Sequence, residues 1–171
     1  MRPGYSFSLN SPHFATFGLF LLVLYLRGEK IMTKRIFKGH CLCKSVRYVV
    51  DGEPVWCAHC HCTDCRRHTG SAVATFVCFD KGQFSLTAGE FGRIESSPGI
   101  YRCFCSTCGT PMAYERDDLP GEIHLYLGTL EQPEQMPPTL EVFCSRCLGS
   151  CPHQFPAGKA PGFCHLFAGT P

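Results

Sequence analysis

The chain has 171 residues, which is enough for one domain with appendages, and 44% of its residues are hydrophobic against 18% that are charged. This balance is typical of a chain that buries a core, and it excludes a disordered polar chain. The formal net charge of +2, without any block of lysines or arginines, excludes a nucleic-acid-binding surface.

The first 31 residues differ in composition from the rest. The apolar run Phe14–Leu26 is too short to span a bilayer, which takes about 20 residues. It has the length of the apolar part of a signal peptide, but Arg27-Gly28-Glu29 follows it, without a small-x-small cleavage site. Gly28-Glu29-Lys30 would be encoded by a purine-rich tract resembling a ribosome-binding site just before Met32. We therefore interpret residues 1–31 as upstream of the native start at Met32, with a membrane anchor as the alternative.

Short strands separated by turns fill residues 37–130, so the fold class is predicted to be mostly β. Ser45–Val50 alternates, with Val46, Tyr48 and Val50 on one face. Ala72–Phe79 is apolar on both faces, which predicts a central, buried strand. Further strands are predicted at Gln83–Leu86, Phe91–Ile94, Ile100–Phe104, Ile123–Leu127 and Thr139–Phe143.

One helical turn is predicted at Thr63–His68. Thr63 or Asp64 can cap its start, and Gly70 can end it. No other window shows a convincing helical repeat, which agrees with a mostly β domain.

The tail loses this pattern and becomes rich in Cys, Pro and Gly. We divide the chain into the upstream segment 1–31, a zinc domain at 32–140 and an atypical tail at 141–171. A reading-frame shift near Val142 would explain four extra cysteines in the tail. A third metal site is the alternative, built from Cys144, Cys147, Cys151 and Cys164.

Fourteen cysteines are as many as a disulfide scaffold carries. Most of them occur in C-x-C and C-x₂-C pairs in a fairly long chain. That arrangement favours thiolates on a metal in a reducing compartment, so we expect a cytoplasmic protein.

Two of these pairs flank the centre of the domain. They are Cys41-Leu42-Cys43 and Cys105-Ser106-Thr107-Cys108-Gly109, and the glycine permits the positive φ that such a metal-binding turn requires. Together the four cysteines make a complete tetrahedral zinc site, which contributes folding free energy. We expect this site to pin two distant ends of the sheet.

The central stretch Cys60-His61-Cys62-Thr63-Asp64-Cys65-Arg66-Arg67 concentrates three thiols and two guanidinium groups. With Cys57 it would form a closed four-cysteine site, and without Cys57 it leaves a coordination position open for water or a substrate. His59 and His61 are further possible ligands. Spacing alone leaves closed and open sites equally possible. Arg66 and Arg67 can offset the negative charge of three thiolates on zinc, and arginine suits carboxylate recognition.

Three motifs in order resemble the glutathione-dependent formaldehyde-activating family, whose domain is shared with centromere protein V. They are Gly39-His40-Cys41-Leu42-Cys43, then Cys60 to Arg67 with Gly70-Ser71, then Phe104-Cys105-Ser106-Thr107-Cys108-Gly109-Thr110. The resemblance covers residues 33–130. It implies an all-β assembly of small zinc-bound sheets related to the β-tent proteins.

The resemblance also implies two zinc ions per chain. A structural zinc would be held by Cys41, Cys43, Cys105 and Cys108, and a catalytic zinc with an open position by Cys60, Cys62 and Cys65. The implied reaction is the reversible addition of glutathione, or a similar thiol, to formaldehyde or a related small aldehyde. Arg66 or Arg67 would bind a substrate carboxylate. The alternative function is a non-catalytic, zinc-stabilised module that binds a thiol or a protein partner.

Two departures from the family stand out. The family usually has glycine after the first C-x-C, where this chain has Lys44. If that position needs a positive φ, lysine costs about 1 kcal/mol. The family also ends in a Pro-Trp or similar aromatic patch, where this chain has Phe143-Cys144-Ser145-Arg146-Cys147.

Overall fold

The computed structural model describes residues 34–149, which form ten β-strands and one short α-helix. The predicted mostly β class is therefore confirmed. The interpretation of residues 1–31 and the cysteines at 151 and 164 lie outside the described residues. The strands are β1 (Ile36–His40), β2 (Arg47–Asp51), β3 (Trp56–Cys60), β4 (Ala74–Asp80), β5 (Phe84–Ala88), β6 (Phe91–Ser97), β7 (Ile100–Cys105), β8 (Pro111–Arg116), β9 (Glu122–Tyr126) and β10 (Leu140–Val142). The helix, α1, spans Thr63–Thr69, and short 3₁₀ turns occur at Lys81–Gln83, Leu127–Thr129, Pro133–Gln135 and Cys144–Arg146.

The strands form two sheets. A three-stranded sheet has the order β1-β2-β5, and a seven-stranded sheet has the order β10-β3-β4-β9-β8-β7-β6. Neighbouring strands are antiparallel except for β10, which runs parallel to β3. Both sheets contribute to the main hydrophobic core, with Phe37 and Val50 from the small sheet and Val77 and Leu125 from the large one.

The two faces of the large sheet have different roles. Along β3, β4 and β9, residues such as Cys57, Val77 and Leu125 point into the core. Their neighbours in sequence point to the other face, because side chains alternate along a strand. A second cluster packs on that other face around Phe76 and Tyr126.

Most predicted strands are present, with ends shifted by a few residues. Val46, Tyr48 and Val50 are all buried, as their alternation predicts, and β4 lies in the interior of the large sheet. The strand prediction missed β1, β3 and β8. β3 has one strong β-former, Trp56, among cysteines, an alanine and a histidine that give no alternating pattern. β8 begins with proline, which a strand tolerates at its first residue.

The helix matches its prediction except at its start. It ends at Gly70, which adopts a left-handed conformation with φ of 65°. The residue at the N-cap is Cys62, without a side-chain capping bond, so neither Thr63 nor Asp64 caps the helix as predicted. The reason is local, since the helix starts directly after the Cys60-x-Cys62 pair.

The large sheet continues past residue 140, where we predicted the domain to end. β10 aligns Leu140 with Ala58 and Val142 with Cys60, and the amide of His61 donates to the carbonyl of Val142 over 3.1 Å. Residues 140–142 are thus part of the sheet that carries the central cysteines. Among the described residues, no helix is both long and apolar enough to cross a bilayer.

Gly39 allows two neighbours to pack closely against β1, namely the Tyr48 ring on β2 of the same sheet and the turn at Thr129. A Cβ at this position would lie 2.2 Å from the ring of Tyr48 and 2.6 Å from the carbonyl oxygen of Thr129. The Tyr48 hydroxyl is buried and hydrogen-bonded to the Thr129 hydroxyl over 2.7 Å, so the ring is held in place. Gly39 also forms an isolated antiparallel bridge to Leu130, which lies four residues after the end of β9.

We expect Gly39→Ala to destabilise the protein by about 1–3 kcal/mol, because the new methyl group overpacks a rigid contact. Urea denaturation followed by tryptophan fluorescence would measure this. Gly121→Ala is the matched control, since nothing lies within 4 Å of a Cβ there. Equal denaturation midpoints for the two variants would contradict the close-approach argument.

Candidate functional site

Four cysteines from distant parts of the chain meet between the two sheets. Cys41 follows β1 and Cys105 ends β7, while Cys43 and Cys108 lie in the turns that come after them. The Sγ atoms of Cys41 and Cys43 are 3.5 Å apart, and those of Cys43 and Cys105 are 3.8 Å apart. All four sulfur atoms lie within 4.8 Å of one another.

These distances fit a metal ion. A tetrahedral zinc with four sulfur ligands at about 2.3 Å places the sulfurs about 3.8 Å apart. The cluster can therefore hold a metal ion, as the sequence predicts, although no ion is part of the structure. The four-cysteine cluster joins the three-stranded sheet to the seven-stranded sheet. The expectation that it pins two ends of one sheet is therefore corrected.

Two turns present these sulfurs. Gly109 has a φ of 73°, and its amide donates to the carbonyl of Cys105 over 2.8 Å. In the first turn Lys44 has a φ of 62°, and its amide donates to the carbonyl of Cys41 over 2.9 Å. Position 44 does have a positive φ, the condition on which the cost of lysine depended, so a lysine occupies a conformation that glycine adopts more easily.

Hydrogen bonds favour ionised sulfur at Cys108 and Cys41, whereas the pKa of Cys43 is raised. The Thr110 hydroxyl lies 3.1 Å from the Cys108 sulfur and is the main cause that lowers the pKa of Cys108 to about 5. Burial opposes ionisation of Cys41, but the amide of Val46, 3.3 Å from its sulfur, and the Ser45 hydroxyl outweigh burial and lower its pKa. Thiolates are the form that binds metal.

The second group of thiols lies on the other face of the large sheet. Cys60 ends β3, Cys62 precedes α1, and Cys65 lies in the first turn of α1. The Cys65 thiol hydrogen-bonds with both of the others. That contact is the largest cause that lowers the pKa of Cys60, and it raises the pKa of Cys65 to about 11. The Cys65 thiol therefore donates to Cys60, and the Cys62 thiol donates to Cys65.

Cys57 is separated from this group. It lies three residues before Cys60 on the same strand and so points to the opposite face, where it packs in the main core. Burial raises the pKa of its thiol to about 11. The structure thus places Cys60, Cys62 and Cys65 on the cavity side, with Cys65 in contact with each of the other two, and leaves Cys57 in the core.

Arg102 is the charged residue that contacts the central thiols. Its side chain is buried, and its Nη1 lies 3.3 Å from the Cys65 sulfur. The guanidinium also lies over the ring of Tyr114, 4.7 Å from its centroid. Sequence reasoning missed this residue. Its signal was an arginine inside the apolar strand Ile100–Phe104, where a buried charge requires a partner.

The other residues predicted for this site lie around it. Arg66 is half-buried, Arg67 is exposed on α1, and neither lines the cavity described below. His59 contacts the Thr75 hydroxyl at 2.8 Å, while the buried His61 lies 3.8 Å from the Glu141 carboxylate. Neither histidine lines the cavity in the described part of the chain.

A cavity of about 450 Å³ opens on this face of the large sheet. Cys60, Cys62 and Cys65 line it together with Arg102. Most of the remaining wall is apolar or aromatic, and charged groups occur at a few points. The other lining residues are Val55, Trp56, Ala58, Phe76, Tyr114, Arg116, Leu119, Glu122, His124, Leu140, Val142 and Phe143.

The cysteines of both groups are free thiols, as are the buried Cys57, Cys78 and Cys103. Cys144, in the predicted tail, is the cysteine among residues 34–149 that is disulfide-bonded. The thiols of the domain are therefore available as metal ligands.

Comparison with known proteins gives one family. The family model described as "Glutathione-dependent formaldehyde-activating enzyme" matches residues 36–146, well over half of the chain. Three chains of solved structures match, among them a Rhodobacter sphaeroides protein with 25% sequence identity and a TM-score of 0.47. That match covers 55% of this chain and 87% of the other. No curated protein matches the sequence.

We expect Lys44→Gly to stabilise the protein by about 0.5–1 kcal/mol, because it relieves the left-handed conformation while adding some entropy to the unfolded chain. The midpoint of urea denaturation would measure the change. Lys44→Ala keeps the Cβ and serves as the control. If Lys44→Ala stabilises the protein as much as Lys44→Gly, the gain comes from removing the lysine side chain and not from relieving the backbone conformation.

Proposed function

The chain belongs to the glutathione-dependent formaldehyde-activating family, and from this premise we propose that it is a zinc-dependent carbon–sulfur lyase. It would catalyse the reversible addition of a thiol such as glutathione to formaldehyde or a related small aldehyde. Two zinc ions per chain are part of the proposal. One would be held by Cys41, Cys43, Cys105 and Cys108 as a structural ion, and the other by Cys60, Cys62 and Cys65.

One observation carries this proposal. Cys60, Cys62 and Cys65 line a cavity, while Cys57 packs in the core on the opposite face of the same sheet. Three thiolate ligands leave one coordination position for a substrate, whereas a fourth cysteine would close the site. The donor set therefore favours an open site over a purely structural one.

A zinc ion bound at Cys60, Cys62 and Cys65 would favour the thiolate form of a substrate thiol at neutral pH and would polarise an aldehyde oxygen. Arg102 supports this arrangement because its positive charge offsets the excess negative charge of three thiolates. The guanidinium is buried and held by Ser96 as well as by Cys65, so its position is fixed before substrate binds.

The reaction itself is a balanced addition. The sulfur–carbon bond forms, the carbonyl π electrons move to oxygen, and the proton lost by the thiol ends on that oxygen. The apolar wall of the cavity would limit water around the reacting atoms, which strengthens electrostatic interactions there. The sequence suggests Arg66 or Arg67 for one substrate carboxylate, and neither lines the cavity. Arg116 is a guanidinium on the cavity wall itself, where it is paired with Asp118.

The second candidate function is a zinc-stabilised module that binds a thiol or a protein partner without catalysis. Thiols add to formaldehyde unaided, so binding alone would leave the exchange rate at its background value. The rate of exchange therefore separates the two functions.

We expect the purified, zinc-loaded protein to accelerate exchange between formaldehyde and glutathione, measured by exchange NMR. Cys62→Ser should reduce the rate to the uncatalysed background, because it removes a ligand at the proposed open site. Cys57→Ser is the matched control, since it changes a thiol of the same stretch that faces the core. A wild-type protein that does not exceed background, with Cys62→Ser identical to it, would favour the binding module.

Arg102→Met should weaken zinc binding at the central thiols by about 10–100-fold, the range typical when a group that supports metal ligands is removed. Methionine keeps an apolar side chain of similar length in the buried position. Competition with a chromogenic chelator would measure the zinc affinity. The zinc ion at the central thiols is identified as the one that Cys62→Ser does not bind. Arg67→Met is the control and should leave that affinity unchanged; a larger effect at Arg67 would assign charge compensation to α1 instead.

A further inference from the structure

A second set of metal-ligating side chains lies on the cavity face of the large sheet. Cys78 on β4 is directly opposite His124 on β9, and Glu122 comes two residues before His124 on the same face. Neighbouring strands therefore fix the relative positions of a thiol, an imidazole and a carboxylate. Glu122 and His124 line the cavity, while Cys78 is fully buried.

The distances among these groups match one face of a metal tetrahedron. Oε2 of Glu122 lies 3.5 Å from the Cys78 sulfur and 2.9 Å from Nε2 of His124. All three groups offer ligand atoms within 4.8 Å of one another. Zinc bonds of about 2.0–2.3 Å at tetrahedral angles give ligand separations of about 3.3–3.6 Å. Small side-chain adjustments are thus sufficient for one ion to contact all three.

Aromatic neighbours hold the imidazole in place. The Trp56 ring meets the His124 ring edge-on at a centroid distance of 4.7 Å, and the Tyr114 ring stacks on it at 5.4 Å. The ring nitrogen Nε2 is thereby kept towards Glu122. A ligand whose orientation is fixed in advance loses little entropy when it binds a metal.

The charge around Glu122 also favours a cation, and a comparison within the same sheet shows this. Cys103 and Glu115 form a similar pair, with the sulfur 3.6 Å from the carboxylate. Glu115, however, is paired with Lys81 at 2.6 Å and Arg93 at 3.7 Å. Within residues 34–149, the ion pair of Glu122 is with His124 alone. No lysine or arginine of the described residues forms an ion pair with Glu122, and Arg116, which is near enough to lower the pKa of His124, is itself paired with Asp118.

We propose that Cys78, Glu122 and His124 form a separate binding site for a divalent transition-metal ion of the zinc type, open to the cavity. Thiolate, imidazole and carboxylate are all zinc ligands, and three protein ligands leave a position that faces the cavity. Coordination would release the proton that the Cys78 thiol donates to Glu122. His124, whose Nε2 now donates to the same carboxylate, would carry its proton on Nδ1 instead, so that Nε2 is free to bind the ion.

The site is distinct from the central thiols. Cys60 pairs with Ala74 on β4, and Cys78 lies four residues further along that strand. At about 3.3 Å per residue, the two positions are about 13 Å apart. Two metal ions that act on the same substrate atom are about 3.5–4 Å apart, so this separation is too large for that role. The second ion instead binds a donor group at the opposite end of a molecule in the cavity.

Cadmium-113 NMR tests the proposal, because the cadmium shift depends on how many sulfur ligands the ion has. Wild-type protein loaded with cadmium should give one resonance typical of a single sulfur ligand, well separated from those of sulfur-rich sites. His124→Gln and Glu122→Gln should lose or shift that resonance, and His124→Gln should lower the bound metal by one equivalent per chain. Both variants retain hydrogen-bonding side chains at the site.

Cys103→Ser is the matched control, since it removes a buried thiol beside a carboxylate that has no histidine, and it should keep the resonance. Cys62→Ser should remove a sulfur-rich resonance and leave this one, so the outcome is independent of the proposed lyase activity. A wild-type spectrum without a single-sulfur resonance, or one that His124→Gln leaves unchanged with full metal content, would overturn the proposal.

Discussion

The alternation of side chains across the seven-stranded sheet is the constraint on which the rest of the molecule depends. One face is committed to the core shared with the small sheet, so the other face is free to line a cavity. Residues next to each other in sequence consequently have different surroundings. Cys57 packs as a small hydrophobic residue, whereas Cys60 contributes its thiol to the cavity.

The two thiol groups differ in their relation to this sheet. Cys41, Cys43, Cys105 and Cys108 lie where the sheets meet, and a metal ion there would add free energy of folding by joining elements that are distant in sequence. Cys60, Cys62 and Cys65 lie on the cavity side beside a buried guanidinium. The first position suits stability, and the second suits contact with a small molecule.

Charge compensation explains why Arg102 is buried. A buried arginine is costly unless it is paired, and thiols that share negative charge supply the partner. Tyr114 covers the guanidinium on one side and also stacks on His124, so a single aromatic residue connects both ends of the cavity. The rigid strands that carry these groups place them with little freedom, as a site for small reactants requires.

The sequence by itself determined the mostly β class, the alternating strand Val46–Val50, the buried central strand and the four-cysteine cluster. These features depend on local periodicity and on the spacing of ligands, which one chain displays directly. The family's usual glycine at position 44 raised the condition of a positive φ there, and the structure shows that Lys44 has one. The tertiary structure alone decided which face each cysteine occupies, that Arg102 is the arginine in contact with Cys65, and that Cys78 lies opposite His124. Those facts follow from strand register, which pairs residues up to about fifty positions apart and leaves no mark on the local pattern.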